Sequence, residues 1–283
     1  MQTYATTPFA DDFVFLEGPR WHAGRLWVSD IWAHTVYAID AAGAREAVVE
    51  VPGRPSGLGF LPDGTPLVVS MTERRLYRVV DGALVLHADL SALVAADIND
   101  MVVDASGRAW VGNMGYDLFG GGEPRSAEIT LVEADGRCRH VAQDLDFPNG
   151  LLITDGGRTL VVAESFGHRV SAFDIAADGM LANRRVLCEL PELVPDGICL
   201  DQAGNVWVAG AMGGAFVQVA PDGRVIARID VAPRAAIACQ LGGADGCTLF
   251  CLTYDGGVEE LSRGEPGARI ETARVEVPAA GSP

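Results

Sequence analysis

The stretch Asp146-Phe147-Pro148-Asn149-Gly150-Leu151 decides the fold, because its pattern returns at intervals along the chain. An oxygen-bearing side chain, Asn149, stands between a proline and a glycine, and the β-type run 151–154 follows at once. The same position is taken elsewhere by Glu17, Asn99 and Asp196. We therefore interpret the chain as a repeat that carries these four residues to one axis.

Length and composition favour one large β domain. The chain has 283 residues, of which 49% are hydrophobic, so it can bury a sizeable core. Its 34 glycines and its modest 21% of charged residues favour many short strands and tight turns over long helices. We expect residues 1–283 to form a single domain. The formal net charge of −17 repels phosphate backbones, which argues against nucleic-acid binding.

Cysteine usage and the start of the chain bear on its compartment. The six cysteines form no CxxC pair and no Cys/His metal spacing. Buried, reduced thiols of a cytoplasmic protein are the simplest interpretation. Residues 1–10 lack the basic start and the apolar core of a signal peptide, and no apolar run reaches membrane-spanning length. We expect a cytoplasmic protein without a membrane partner, and by default a monomer or weak homodimer.

An internal repeat with a period of about 40 to 50 residues points to a β-propeller. Each unit consists of a first strand, a turn that contains glycine, and a second apolar strand. The first strands begin at or near residues 20, 58, 101, 151, 198 and 236. Third and fourth strands follow, separated in several units by Asp-Gly, which is a strong hairpin signal. Six units of four antiparallel strands predict an all-β, six-bladed β-propeller.

The sixth unit has the weakest pattern, and it determines how the ring closes. We expect residues 257–261 to form one of its strands. Ring closure should use residues 269–277 together with the segment before Glu17. The competing architecture is a pair of β-sandwiches, but the equal phase of the repeats and the lack of a linker argue against it.

Four oxygen-bearing residues occupy one phase of the repeat. Glu17, Asn99, Asn149 and Asp196 each stand 10 to 12 residues before the Trp or Val of the next strand. Equivalent positions in a rotational repeat point to one axis, so these side chains should ring one mouth of the central channel. Two carboxylates and two amide carbonyls suit a hard cation such as Ca²⁺, Mg²⁺ or Mn²⁺. Each residue alone is also an ordinary turn former.

Loops that follow the second strands open on the same face as these four residues. They carry large apolar side chains with a few polar groups, the usual composition of a small-molecule site. The predicted pocket residues in these loops are Trp32, Met71, Met114, Tyr116, Phe166, His168 and Met212. The alternative is that these residues only pack between blades. The longest loop, 116–127, contains three consecutive glycines and could act as a mobile lid.

These motifs resemble the SMP-30/gluconolactonase family, whose members are also called regucalcins, over nearly the whole chain. The matching pieces are Glu17-Gly18-Pro19 with Trp21, Asn99-Asp100 followed by Asp104, Gly107, Arg108, Trp110 and Gly112, Phe147-Pro148-Asn149-Gly150-Leu151, and Pro195-Asp196-Gly197. The resemblance implies a six-bladed propeller with one divalent cation in the channel, and hydrolysis of sugar lactones or related esters. It also implies that Glu17, Asn149 and Asp196 bind the metal and that Asn99 contacts the substrate or the metal.

One position departs from the pattern of the family. Its sugar-lactonase members often carry an arginine two residues before the Asn-Asp pair, where this chain has Asp97. We therefore include Asp97 among the predicted pocket residues. Several apolar loop residues stand near it by the repeat argument, namely Met71, Met114, Phe119 and Met212. Together they favour a lactone or ester that is less polar than a sugar lactone.

The reaction hypothesis gives catalytic roles to Asp196 and Asn99. A divalent cation, Ca²⁺ by preference or else Zn²⁺, Mn²⁺ or Mg²⁺, would polarise the lactone carbonyl and activate water. Asp196 would take the proton of the water, and Asn99 would orient the substrate. His168 could contact the leaving group, although a lone histidine in a loop has many other uses. No further cofactor is expected.

Two other functions stay open on the sequence alone. The first is a binding propeller, in which the cation closes the channel structurally and no chemistry occurs. The second is an enzyme that resembles strictosidine synthase and uses a glutamate base without a catalytic metal. Glu73 and Glu164 are the candidate bases for that enzyme, and neither occupies the converging position.

Overall fold

The computed structural model describes residues 1–118 and 120–281. Phe119, which the sequence analysis places near the pocket, and residues 282–283 lie outside the described part. The described residues form six sheets that are arranged as the blades of a six-bladed β-propeller, which confirms the predicted fold.

Each blade takes its four main strands in chain order, except at the ring closure. The chain begins with β1 (Gln2–Thr3) and β2 (Thr7–Phe13), which join the last two blades. Blade one contains β3 (Leu16–His22), β4 (Arg25–Asp30), β5 (Thr35–Ile39) and β6 (Arg45–Glu50). Blade two contains β7 (Pro55–Phe60), β8 (Pro66–Ser70), β9 (Arg75–Val80) and β10 (Ala83–Asp89). Blade three contains β11 (Ile98–Val103), β12 (Ala109–Asn113), β13 (Ala127–Val132) and β14 (Cys138–Leu145).

The second half of the ring repeats this order. Blade four contains β15 (Pro148–Thr154), β16 (Thr159–Glu164), β17 (Arg169–Ile175) and β18 (Leu181–Glu189). Blade five contains β19 (Pro195–Leu200), β20 (Val206–Gly210), β21 (Ala215–Val219) and β22 (Val225–Asp230). Blade six contains β23 (Ala235–Gly242), β24 (Thr248–Tyr254), the helix α1 (Val258–Ser262) and β25 (Ala268–Arg274).

The N-terminal strands close the ring, as predicted for the segment before Glu17. Strand β2 pairs antiparallel with β25 and forms the outermost strand of blade six. Strand β1 adds in parallel to the outer edge of blade five, with Gln2 opposite Ala227. Strand β2 thus gives blade six its fourth strand, and β1 gives blade five a fifth.

The predicted strand 257–261 is wrong, because this segment forms the helix α1. The Glu260 side chain accepts a hydrogen bond from the Gly257 N–H at 3.0 Å, which satisfies a free donor at the helix start. The third strand of blade six is instead β25, which pairs with β24 along its whole length. The hydrophobic pattern of the five-residue segment Gly-Val-Glu-Glu-Leu fits a strand or a helix equally well. The hydrogen bond between Gly257 and Glu260 at the start of the segment favours the helix.

Every innermost strand carries a bulge at the same place. The register against the second strand shifts between Glu17 and Arg20, Pro55 and Leu58, Ile98 and Met101, Pro148 and Leu151, Pro195 and Ile198, and Ala236 and Ala238. A bulge redirects a side chain and increases the local twist. The four oxygen-bearing residues lie in these bulges or at their edge, so the repeat turns each of them toward the axis.

Glycine follows the bulged position in four blades because the innermost strands nearly touch there. These glycines are Gly18, Gly57, Gly150 and Gly197. A Cβ on Gly57 would stand 2.6 Å from the backbone nitrogen of Met101, and a Cβ on Gly150 would stand 2.7 Å from the backbone carbonyl oxygen of Asp196. Blade three departs from this rule, because Asp100 takes the place of the glycine.

Apolar clusters fill the spaces between neighbouring blades. The cluster between blades two and three contains Met71 and Met114, which are 1% and 5% exposed. Trp110 and Trp207 are fully buried at matching positions of the second strands of blades three and five. All six cysteines are free, and four of them are buried. In the described part of the chain, no helix is long and apolar enough to cross a membrane.

Gly150→Ala should destabilise the protein by about 2–3 kcal/mol, because its Cβ would press on the backbone of blade five. Chemical denaturation measures this loss. Gly24→Ala is the matched control: Gly24 has a positive φ of 77° but open space around it, so we expect only the backbone penalty of about 1 kcal/mol. Because Gly150 itself does not have a positive φ, a loss no larger than that of Gly24→Ala would show that close approach at the axis does not require glycine at this position.

Candidate functional site

The bulges bring the four predicted residues together at one mouth of the central channel. Glu17, Asn99, Asn149 and Asp196 project from β3, β11, β15 and β19, and all four are buried. We call these four residues the axial ring. Each lies near the first residue of its innermost strand, so all of them stand at the same end of the channel.

Hydrogen bonds link the axial ring from blade to blade. Asn99 Nδ2 donates to Asn149 Oδ1 at 3.1 Å. Ser56 Oγ, from the equivalent position in blade two, donates to Asn99 Oδ1 at 3.1 Å. Asn149 Nδ2 donates to Ser165 Oγ at 3.3 Å, and Ser165 Oγ donates to the Pro195 carbonyl at 2.7 Å. This chain of bonds fixes both amide groups between blades two and five.

The two carboxylates of the ring have fewer partners. Glu17 Oε2 accepts the Gly18 N–H at 3.1 Å, while Asp196 Oδ1 is buried and has no hydrogen-bond partner in the described part of the protein. Burial raises the pKa of Glu17 well above its usual value, and the nearby Asp196 and Asp100 raise it further. Burial likewise raises the pKa of Asp196, with an additional contribution from Asp100, and a hydrogen bond with Asn149 opposes this rise.

This donor set fits a hard divalent cation. Two buried carboxylates side by side are unfavourable unless a positive charge lies between them. Each amide oxygen accepts one hydrogen bond and keeps a second lone pair for a metal. Among residues 1–118 and 120–281, no group of three or more His, Cys, Asp or Glu side chains is placed to bind a metal. The ring differs from such a group because half of its donors are amides.

An ion pair lies directly below the axial ring. Arg20 NH2 donates to Asp100 Oδ1 at 3.1 Å, and both side chains are almost fully buried. Arg20 also lines the narrow lower part of the channel, a cavity of about 210 Å³. Sequence reasoning gave Arg20 no role, because an arginine in a strand usually lies on the solvent face. Only the register shift in β3 reveals that it faces the channel.

A cavity of about 760 Å³ lies beside the mouth, between the loops of blades one to three. Asp97 and Tyr116 line it, together with Arg54, which the sequence analysis did not identify. The Arg54 guanidinium lies 3.9 Å from the centre of the Trp32 ring. Burial raises the pKa of Asp97, and the positive charge of Arg54 opposes this rise. A positively charged side chain thus lies near Asp97, but it belongs to a different loop.

Arg54 could have been found from the repeat. Arg54-Pro55-Ser56-Gly57 matches Phe147-Pro148-Asn149-Gly150, and both Arg54 and Phe147 have a positive φ, of 65° and 60°. This conformation is strained for residues other than glycine, and such strain is common at functional positions.

Aromatic side chains form another part of the mouth. The ring of Phe147 lies 4.7 Å from that of Phe166 and 6.3 Å from that of Tyr116. Phe166 is half exposed, and Met212 is exposed on the blade-five loop. His168 bonds through Nδ1 to the Leu193 carbonyl at 2.6 Å, which connects two loops. Met71 and Met114 lie in the core beneath the mouth and do not line the cavity.

The candidate bases of the metal-free alternative are held by other contacts. Glu164 is fully buried and accepts hydrogen bonds from Arg169, Arg184 and Ser171. Burial alone would raise the pKa of Glu164, but these bonds outweigh burial and lower it. Glu73 accepts hydrogen bonds from Ser70 and Tyr77, and it stands in a loop outside the axial ring. Glu164 is therefore a structural carboxylate of blade four.

Fold and site together define the class: a six-bladed propeller with an oxygen-lined axial ring beneath loops that form a cavity. Within that class, the chain belongs to the SMP-30/gluconolactonase/LRE-like family, whose model matches residues 15–255. This match confirms the family resemblance, from which Glu17, Asn149 and Asp196 were expected to bind a metal.

Two named relatives match over most of their length. Pentonolactonase XacC of Haloferax volcanii is 29% identical over 280 residues, which cover 94% of this chain and 92% of that protein. Regucalcin of Gallus gallus is 26% identical over 265 residues, which cover 90% of this chain and 88% of that protein.

Solved structures agree with the fold. A regucalcin from Agrobacterium tumefaciens, described as a calcium-binding protein, has a TM-score of 0.82 at 21% identity and covers 100% of this chain and 98% of its own. A gluconolactonase from Xanthomonas campestris has a TM-score of 0.75 at 23% identity, with 96% and 89% covered.

Glu164→Gln should lower the free energy of unfolding by about 3 kcal/mol, because it leaves Arg169 and Arg184 without their buried partner. Urea denaturation measures the loss. Asp174→Asn is the control: its ion pair with Arg185 is about half exposed and screened by solvent, so we expect little change in the free energy of unfolding. A Glu164→Gln variant that is fully stable but inactive would return Glu164 to the list of catalytic bases.

Proposed function

We propose that this protein hydrolyses the ester bond of a lactone with one divalent cation held by Glu17, Asn99, Asn149 and Asp196. The observation that carries the proposal is Asp196 Oδ1, a buried carboxylate oxygen without a hydrogen-bond partner in the described chain. It stands among the buried oxygen donors of the axial ring. Relatives named pentonolactonase and 6-deoxy-6-sulfogluconolactonase, the latter from Pseudomonas putida, support the reaction class.

The residues at the site would have different roles in the reaction. When bound, a divalent cation supplies Lewis-acid polarisation of the lactone carbonyl. Asp196 takes a proton from a water molecule, whose oxygen attacks the carbonyl carbon. The ring C–O bond then breaks, the leaving alkoxide takes the proton from Asp196, and the product is a hydroxy acid. Asn99, which Ser56 and Asn149 hold in place, orients the substrate. His168 would be a contact for the leaving group from the neighbouring loop.

Calcium is the preferred cation of the proposal, with Zn²⁺, Mn²⁺ or Mg²⁺ as alternatives. All four donors are oxygens, which hard cations prefer. The likeness to regucalcins, one of which is described as calcium-binding, supports the same choice.

We further propose a lactone less polar than a sugar lactone. Asp97 occupies the position where an arginine would bind a polar substrate, and it already lies near Arg54. Tyr116 and the half-exposed Phe166, which pack on the buried ring of Phe147, provide an aromatic surface at the mouth that suits an alkyl or aryl substituent.

A panel of sugar lactones, alkyl γ- and δ-lactones and aryl esters tests the reaction and its polarity. We expect chelator-treated protein to be inactive and added Ca²⁺, Mn²⁺ or Zn²⁺ to restore turnover, measured with a pH indicator. The highest kcat/KM should fall on an alkyl lactone. Preference for a sugar lactone would reject the polarity proposal alone. Tight cation binding without turnover on any member would instead support a binding propeller.

Asp196→Asn should reduce turnover by about a thousandfold or more, because the variant cannot accept the proton of the water. It should also weaken cation binding, and Glu17→Gln should weaken it by at least about tenfold, measured by calorimetry. Asp222→Asn is the control, because Asp222 pairs with Arg224 on the surface. Full activity of Asp196→Asn would remove Asp196 from the mechanism, and unchanged cation affinity of Glu17→Gln would remove Glu17 from the ligand set.

A further inference from the structure

Asp100 brings a third carboxylate to the axial ring. It belongs to the same bulge as Asn99 and occupies the position that is glycine in four other blades. It is 5% exposed, and its backbone packs against Gly57 on the innermost strand of blade two. Without a partner, Asp100 would raise the negative charge around the axis from two carboxylates to three.

Arg20 is that partner, and it is held firmly. Its NH2 donates to Asp100 Oδ1 at 3.1 Å and also to the Met101 carbonyl, while NH1 donates to the Pro19 carbonyl at 2.8 Å. Asp100 Oδ1 also accepts the Met101 N–H at 2.8 Å. Arg20 therefore connects blade one to blade three, between residues 80 positions apart in the chain. Because a guanidinium stays protonated, its charge is independent of pH.

We propose that Arg20 sets the charge of the axial cation site. By pairing with Asp100, it leaves the two charges of Glu17 and Asp196, which one divalent cation neutralises. Removal of the Arg20 charge would leave three carboxylates around the axis and shift the preference toward trivalent cations. This inference rests on the proposed cation site, and it identifies Arg20 as a positioning residue that determines which cation charge the site selects.

The test compares Ca²⁺ with Tb³⁺ on the full, metal-stripped chain, by calorimetry and Tb³⁺ luminescence. In Arg20→Gln, we expect the affinity for Tb³⁺ relative to Ca²⁺ to rise by roughly tenfold or more, because one uncompensated charge attracts a trivalent ion more strongly. The double variant Arg20→Gln/Asp100→Asn removes both charges and should return the ratio to that of the wild type. Arg25→Gln, which breaks a surface pair with Glu46, should leave the ratio unchanged.

Asp100→Asn alone should change the ratio of Tb³⁺ to Ca²⁺ affinity in the opposite direction. This variant tests the proposal even if Arg20→Gln does not fold. It leaves Arg20 uncompensated, so the Tb³⁺ to Ca²⁺ ratio should fall below that of the wild type. An unchanged ratio in both single variants would overturn the role of Arg20. A double variant as perturbed as Arg20→Gln would show a structural effect instead. Wild-type protein that binds neither ion would overturn the cation site itself, and this result needs no variant to be recognised.

Discussion

The close approach of six innermost strands around one axis is the constraint on which the rest of the structure depends. Neighbouring strands meet backbone to backbone at Gly57 and Gly150, where a Cβ would fall within 3 Å of the next blade. The bulge that permits this approach also turns the preceding side chain toward the axis. Fold and site therefore share one cause: a chain that closes this ring also brings the axial ring together.

The electrostatic character of the site follows from that geometry. Side chains that point at a narrow axis lose solvent, so Glu17 and Asp196 are buried where ionised carboxylates are unfavourable. A protein selected only for stability would fill this position with apolar residues, as blade six does with Ile237. Satisfied amide groups beside Asp196 Oδ1, a buried oxygen without a partner in the described chain, are typical of a site that trades stability for binding.

The sequence could predict what repeats but not what pairs across the ring. The oxygen-bearing residue, the following glycine and the apolar strand recur within a few positions, so the blades and the axial ring were predictable from local pattern. The Arg20–Asp100 pair joins residues 80 positions apart and depends on a register shift, so local pattern could not reveal it. Met71 and Met114 were assigned to the pocket from their position after a strand, but the interblade core continues one residue past each strand end.

The cavity beside the mouth and the axial ring are formed by different residues, and this division allows specificity to vary on a fixed site. The cavity beside the mouth is lined by loop residues such as Arg54, Asp97 and Tyr116 and by none of the four ring residues. Arg54 and Phe147 each stand just before a proline and each have a positive φ, so they occupy equivalent backbone positions in blades two and four. Their side chains differ, because one is cationic and the other is aromatic. A single exchange at such a position changes the chemistry of the mouth while the proline, the bulge and the glycine behind it stay in place.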